Sequence, residues 1–438
     1  MARLTADFTK PTGRKVRPLH GMNSGPMTKV FTYDAREWFK DAGFPYARFH
    51  DVEYPYGSGE FVDIHCLFKD FDKDENDPAN YNFGLTDLYV GYCMEVGSEP
   101  LYRLGESIEH APVKLHIFPP KDYEKWARIC EHIIAHYTEG WADGFRYPIK
   151  YWEIWNEADG GSRNMWQGTP EEFYEFYAVT ARCLKKRFPN LKIGGGAFTR
   201  AYNEFTEGFL RYISSQKEYV PLDFYSWHRY FAKMEKLTDE ARKAREMLVR
   251  YGYPDAISIL DEWNYMEDWA NQPESYRVMK DHRGAAFNAA VLAALQTKTD
   301  VAIACQFEAD VVKEFCDVFN VKDMRIGNHG KAELEPTKSY YAFKSFNELY
   351  KLKNEVVPET DDETIYALGA VSDDGSSFGL LIANYGTDEK TLDLALSGVK
   401  RASVRRTDKD ETFRVISNEV PERLALPPYS FVFVGNTL

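Results

Sequence analysis

Two glutamates stand in similar settings in this sequence. The first closes the run Tyr151-Trp-Glu-Ile-Trp-Asn-Glu-Ala158, where Asn156 precedes Glu157. The second, Glu262, lies in Ala256-Ile-Ser-Ile-Leu-Asp-Glu-Trp-Asn264, 105 residues further on. Aromatic and β-branched residues ahead of each carboxylate suit short packed strands. Two carboxylates held on one framework fit retaining glycoside hydrolysis. One must arrive protonated and donate to the glycosidic oxygen, and the other must be ionised and attack the anomeric carbon. That chemistry needs the carboxyl groups about 5 to 5.5 Å apart, in surroundings that split their pKa values. Asn156 is placed to hold a sugar 2-hydroxyl, and His228 and Tyr230, on an intervening strand, to hydrogen-bond a carboxylate. A lone glutamate after a strand is ordinarily a cap or half of an ion pair; the pairing and the polar neighbours set these two apart.

Other chemistries lack their residues. The sequence has no H-E-x-x-H and no His-x-His at its first strand, so no metal is expected. No G-x-S-x-G elbow is present, so no serine nucleophile is expected, and no glycine-rich phosphate fingerprint follows the first strand, which leaves a doubly wound open sheet without support. The acidic run Lys69-Asp-Phe-Asp-Lys-Asp-Glu-Asn-Asp77 lacks the spacing of a calcium loop. The six cysteines include no C-x-x-C pair and imply no disulfide framework. A net charge of −14 speaks against nucleic acid and anionic membranes as partners. No signal peptide is visible at the N-terminus. The default expectation is therefore cytoplasmic, although a chain with its leader removed would read the same.

Both motifs need a frame. Strands are expected at Val16–Asn23, Tyr46–Asp51, Pro100–Glu106, Tyr151–Glu157, Leu191–Ala197, Leu222–Tyr230, Ala256–Asn264 and Val301–Phe307. Helical patterns separate them: Thr32–Ala42, Leu85–Val96, Lys121–Tyr137, the helix opened by the capping box Thr169-Pro-Glu-Glu172, Glu204–Gln216, Thr238–Tyr251, Arg283–Gln296 and Pro336–Tyr350. Strict alternation means parallel strands. Eight units predict an α/β fold of the closed (β/α)8 TIM-barrel type over residues 15–350, with its site at the C-terminal ends of the strands. His20, Asn23, Arg48, His50, Glu106, Asn156, Glu157, His228, Tyr230, Glu262 and Gln306 all fall at such ends. Glu153 shares strand parity with Glu157 and points inward about two layers lower, with Arg48 as a candidate partner; Asp159, Asp261, Glu267 and Asp268 read as rim or loop residues. After Lys353 short alternating segments separated by turns predict a C-terminal β-sandwich over 351–438. Residues 1–14 form an N-terminal extension able to add a strand to it.

The motifs resemble family 39 of the glycoside hydrolases, whose members include β-xylosidases and α-L-iduronidases. Ala42-Gly-Phe-Pro-Tyr-Ala-Arg-Phe-His50 resembles that family's second strand, and Tyr81-Asn-Phe83 the start of its second helix. Trp152-Glu-Ile-Trp-Asn-Glu157 resembles the acid/base motif, Asp223-Phe-Tyr-Ser-Trp-His-Arg-Tyr230 the sixth strand, Asp261-Glu-Trp-Asn264 the nucleophile motif, and Lys338-Ser-Tyr-Tyr-Ala-Phe343 the last helix. The glutamate motifs alone indicate only the wider clan of barrel glycosidases; the full series narrows it to the family. The resemblance implies Glu157 as acid/base, Glu262 as nucleophile, and Asn156, His50, His228 and Tyr230 lining the −1 sugar site, without cofactor or metal. Three departures stand out. Asn156-Glu-Ala158 replaces the usual Asn-Glu-Pro. Gly105-Glu-Ser107 stands where xylosidases show an aromatic. Gln306 takes the place of a sugar-stacking tryptophan at the eighth strand. The expectation is a retaining, β-xylosidase-like hydrolase acting on a small oligosaccharide or glycoside. The alternatives are a related activity on an α-L-arabinoside, α-L-iduronide or exopolysaccharide, and a non-catalytic carbohydrate-binding protein. An iduronide would call for a basic group, for which Arg103, Arg163 and Arg229 are candidates.

Overall fold

In the computed structural model, residues 2–28, 32–53, 60–109, 112–160, 165–311, 313–323, 332–399 and 401–438 are described. Eight strands close a parallel barrel: Gly21–Asn23, Tyr46–Arg48, Glu99–Leu104, Tyr151–Ile154, Lys192–Phe198, Phe224–Phe231, Ile257–Tyr265 and Ile303–Gln306. Closure is made by the pairs Cys305–Gly21 and Gln306–Met22. A helix follows each strand, from Arg36–Ala42 after the first to Tyr340–Leu352 after the eighth. Two expected helices start later than their sequence patterns. Tyr33–Asp34 forms a small strand with Met27–Thr28 ahead of the first helix. Glu333–Pro336 pairs with Phe319–Asp323 ahead of the last. Among the described residues, no helix is long and apolar enough to cross a membrane.

The barrel interior is layered. Leu101, Phe224, Ile259, Ile303 and Cys305 fill the lower part with apolar side chains. Above them the inward positions turn polar, with Arg48 and Glu153 fully buried. Strand five can pass this crowded wall because it carries Gly194-Gly-Gly196. A Cβ on Gly194 would lie 2.2 Å from the Phe224 carbonyl oxygen, and Gly196 has a φ of +95°.

Beyond the barrel two sheets pack face to face. One has six strands, from Asn354–Val356 through Ile365–Val371, Phe378–Asn384, Ser430–Gly435 and Ser403–Thr407 to Arg414–Ser417. The other has four, with Ala2–Asp7 between Glu359–Thr360 and Lys390–Ser397, and Arg423–Leu426 outermost. The N-terminal strand runs parallel to Lys390–Ser397. Leu4, Ala6 and Phe8 join Leu380, Leu392, Val404 and Val432 in the apolar core between the sheets.

Candidate active site

Strand four ends at Ile154, and the backbone then turns sharply. Trp155 and Glu157 take φ values of +69° and +45°, in the left-handed region that side chains rarely adopt. Such conformations cost roughly 1–3 kcal/mol each and persist where the surroundings impose them. Here the Glu157 N–H donates to the Ala197 carbonyl at 2.9 Å, and the Trp155 N–H to the Leu104 carbonyl at 2.7 Å. The turn aims the Glu157 carboxylate over the barrel mouth.

Strand seven delivers Glu262 through a bulge. Its register slips between Leu260 and Glu262 against strand six, and between Leu260 and Trp263 against strand eight. A bulge lets two successive residues face the same side. Asp261 is therefore not a rim residue, as its sequence position indicated. It is fully buried, with Oδ2 3.0 Å from Arg48 Nε and 3.2 Å from His228 Nε2.

Arg48 and His228 organise these acids. The Arg48 guanidinium donates from Nε to Glu153 at 2.8 Å, from Nη1 to Glu262 Oε1 at 2.8 Å and to Asn23 at 3.1 Å, and from Nη2 to Asn156 Oδ1 at 2.8 Å. His228 Nδ1 lies 2.8 Å from Glu157 Oε1 and 3.3 Å from Glu262 Oε2. The Tyr230 hydroxyl donates to Glu262 Oε2 at 2.9 Å. The two carboxylates thus share one imidazole nitrogen, and an oxygen of each lies within 4.8 Å of the other. Oxygens this close fit the short spacing that double displacement needs.

Burial opposes charge on His228, but the carboxylates of Glu262 and Asp261 outweigh it and hold its pKa well above the usual value. The ring is then an imidazolium that donates from both nitrogens. Burial raises the Glu262 carboxyl while His228 and Arg48 pull it down. Deeper in the barrel, burial pushes Glu153 up to about 7 against the pull of Arg48. His50 differs, since burial holds its pKa well below the usual value and leaves it neutral. Neither of its ring nitrogens has a hydrogen-bond partner in the protein, nor has the Asn156 amide nitrogen. His50 Nε2 does lie 3.2 Å from Asp51 Oδ1, outside hydrogen-bond geometry, so His50 Nδ1 and the Asn156 amide are the groups left to meet the hydroxyls of a sugar.

The structure brings Glu157, Glu262, Asn156, His228, Tyr230 and His50 together. It removes Gln306. That side chain is fully buried on the outer face of strand eight, where Nε2 donates to Asp317 at 2.6 Å. Strand residues alternate between faces, so a shift of one residue reverses the reading. Phe307 is the residue that faces the site, its ring centroid 6.3 Å from His50 and 6.4 Å from Tyr230. His20 also lies outside, packed against Phe346 and Tyr350 with Nε2 3.2 Å from Asn347 Oδ1. Glu106 turns to His65 and a separate small pocket beside Trp155. Arg103 is buried against Asp63 at 2.5 Å and Ser107 at 2.9 Å. Arg163 falls outside the described residues. Two aromatic residues with no sequence signal of their own reach the mouth: Trp269, 5.3 Å from Tyr230, and Phe315, 5.5 Å from it.

The comparisons with known proteins agree with this architecture. The chain is 24% identical over 345 residues to a β-xylosidase of Geobacillus stearothermophilus, covering 70% of this chain and 62% of that one. It is 24% identical over 262 residues to a β-xylosidase of Caldicellulosiruptor saccharolyticus, covering 53% and 47%. The chain thus spans about half to six-tenths of the length of these curated relatives. Among solved structures, a glucosidase from Croceicoccus marinus superposes with a TM-score of 0.79 at 24% identity, over 99% of this chain and 98% of that one, a likeness of fold. The family model for glycosyl hydrolases family 39 matches residues 11–376. The chain belongs to glycosyl hydrolases family 39.

Proposed function

We propose that this protein is a retaining glycoside hydrolase acting on a small oligosaccharide or glycoside by double displacement, with a β-xylosidase-like preference. The observation that carries this reading is the pair Glu157 and Glu262, whose carboxylate oxygens come within 4.8 Å of one another beside His228. Glu157 delivers a proton to the glycosidic oxygen as Glu262 attacks the anomeric carbon. A glycosyl–enzyme ester forms on Glu262 and the leaving group departs. Water then attacks the same carbon while Glu157 takes up its proton, and the configuration is retained. Asn156 Nδ2 and the neutral His50 meet sugar hydroxyls, and Phe307 faces the ring.

His228 fits this cycle. In the first step the negative charge leaves Glu262 and appears on Glu157. The imidazolium touches both, so the net charge around it stays constant while the charge moves between its two partners. In a buried site that avoids the cost of an uncompensated ion.

The sugar preference rests on the β-xylosidase relatives.

Replacing Glu262 with Ala tests the assignment. Turnover of aryl xylosides should fall by roughly 10⁴-fold or more, and azide should restore it with inverted stereochemistry at the anomeric carbon. A Glu262→Ala protein with near-normal activity would sink the mechanism. A wild-type protein that hydrolyses no member of a panel of aryl glycosides would favour a carbohydrate-binding role.

A further inference from the structure

A cavity of about 630 Å³ begins at Glu157 and opens away from Glu262. Its walls come from the loops and ends of strands four to seven and include Asp159, Arg200, Arg229, Tyr230 and Trp269. Arg48, His50, Asn156 and Glu262 do not line it. In the proposed reaction the transferred sugar lies over Glu262, and the group that receives Glu157's proton departs on the other side. This cavity is that other side, and the assignment rests on the reading of Glu157 as proton donor.

Two guanidinium groups, those of Arg200 and Arg229, line it together with the carboxylates of Glu157 and Asp159. Arg229 is 14% exposed, and its nearest carboxylate, Glu240 Oε2, stands 3.8 Å from Nε, beyond hydrogen-bond reach. That nitrogen is buried without a hydrogen-bond partner. Arg200 is exposed and makes no ion pair among the described residues. Burial holds the Arg229 pKa below its usual value, Glu240 opposes that, and the charge of Arg200 adds to it. Asp159, the cavity's other acid, is already occupied. It accepts from the Thr199 amide and hydroxyl, each at 2.8 Å, and from Asn203 Nδ2 at 2.5 Å. Beside the arginines, Trp269 leaves 46% of its surface exposed and meets Tyr230 edge-on at 5.3 Å. An exposed indole next to cationic forks is a surface for the apolar face of a sugar that carries an anion.

We infer that this cavity receives a leaving-group sugar bearing one oxyanion substituent, a carboxylate or a sulfate ester, held by Arg200 and Arg229 with its ring against Trp269. A neutral leaving group would bring no charge to the buried, unpartnered Arg229 Nε, whereas an oxyanion there accepts from it and draws in the exposed Arg200.

Calorimetric titration of the full chain tests this. The probes are methyl β-D-glucuronide, glucose 6-sulfate and the neutral methyl β-D-glucoside. The proteins are wild type, Glu262→Ala, Arg200→Met and the double variant Arg200→Met/Arg229→Met. At low salt at least one anionic probe should bind wild type and Glu262→Ala at least tenfold more tightly than the neutral one, and the tighter of the two anions identifies the substituent. The double variant should lose that tenfold preference. Arg200→Met, at an exposed position that folding does not depend on, should lose at least threefold. Equal binding of charged and neutral probes by wild type overturns the inference, as does a preference that survives in the double variant. Because Glu262→Ala binds without turnover, a failure of the proposed hydrolysis would leave this result standing, and the reverse holds too.

Discussion

Arg48 is the residue on which the acids of the barrel mouth converge. Glu153, Asp261 and Glu262 all lie within 3.0 Å of its guanidinium, and none of the four is more than 5% exposed at the side chain. Breaking such a buried arrangement by removing one partner typically costs about 3–5 kcal/mol. The neighbouring cation, His228, is better suited to an experiment on catalysis. Its charge depresses the Glu262 pKa. Removing it raises that pKa, and since the nucleophile must be ionised, the acid limb of the kcat/KM profile moves to higher pH. A His228→Gln protein should show that shift, with kcat reduced roughly tenfold to hundredfold, the worth of a hydrogen bond to a charged group. A pH profile that keeps its acid limb in place would show that His228 does not set the charge of Glu262. The two glutamates and His228 were legible as types at strand ends. The charge state of His228 was not, because it depends on Asp261, whose inward position comes from a bulge.

Whole elements were readable wherever periodicity and punctuation agreed. The helix at Pro170–Arg187 starts at Thr169, as the capping box requires. All eight barrel strands fall inside or across their expected segments. What sequence could not settle was facing at the two places where a strand ends or slips. On strand seven the bulge turned a supposed rim aspartate inward. On strand eight one residue of register separates Gln306, which supports Asp317, from Phe307, which meets the site. These residues make opposite predictions. Phe307→Ala should raise KM for an aryl glycoside roughly tenfold, since a buried phenyl face is worth about 1.5–3 kcal/mol. Gln306→Leu should leave KM unchanged and lower the melting temperature, because Asp317 loses one of its donors; Asn288 Nδ2, at 2.8 Å, would remain. Burial already pushes Asp317 up to about 6, so the loss should be felt most above that pH, where the acid must ionise. Steady-state kinetics with thermal melts at two pH values separate the cases. A KM that responds to Gln306 and not to Phe307 would mean that Gln306, and not Phe307, faces the sugar.

At the scale of the whole molecule, one acid joins barrel and sheets. Glu355 lies in the first strand of the six-stranded sheet and is fully buried. It accepts from Thr12 Oγ1 at 2.8 Å and Arg14 Nε at 2.8 Å, and from the amide of Gln296 on the barrel helix His282–Lys298. The same N-terminal segment continues to Arg17, whose Nη2 donates to the Leu295 and Gln296 carbonyls at 2.6 Å each, placing a cation at that helix's C-terminal end. Sequence could not reveal this junction, because its partners lie about 60 to 340 positions apart and each reads alone as an ordinary surface polar residue. Glu355→Ala should therefore destabilise the protein by about 1–3 kcal/mol, the cost of leaving the buried Gln296 amide without this acceptor, since Arg14 is half exposed and can turn to water. The loss should reach both parts. All nine tryptophans precede Lys353, so fluorescence reports the barrel alone, whereas far-UV circular dichroism reports barrel and sheets together. In urea the fluorescence and dichroism midpoints of the variant should fall together, as expected when the two parts unfold as one cooperative unit. A dichroism transition that moves while the fluorescence midpoint stays in place would mean that the sheets unfold independently and that Glu355 does not couple them to the barrel.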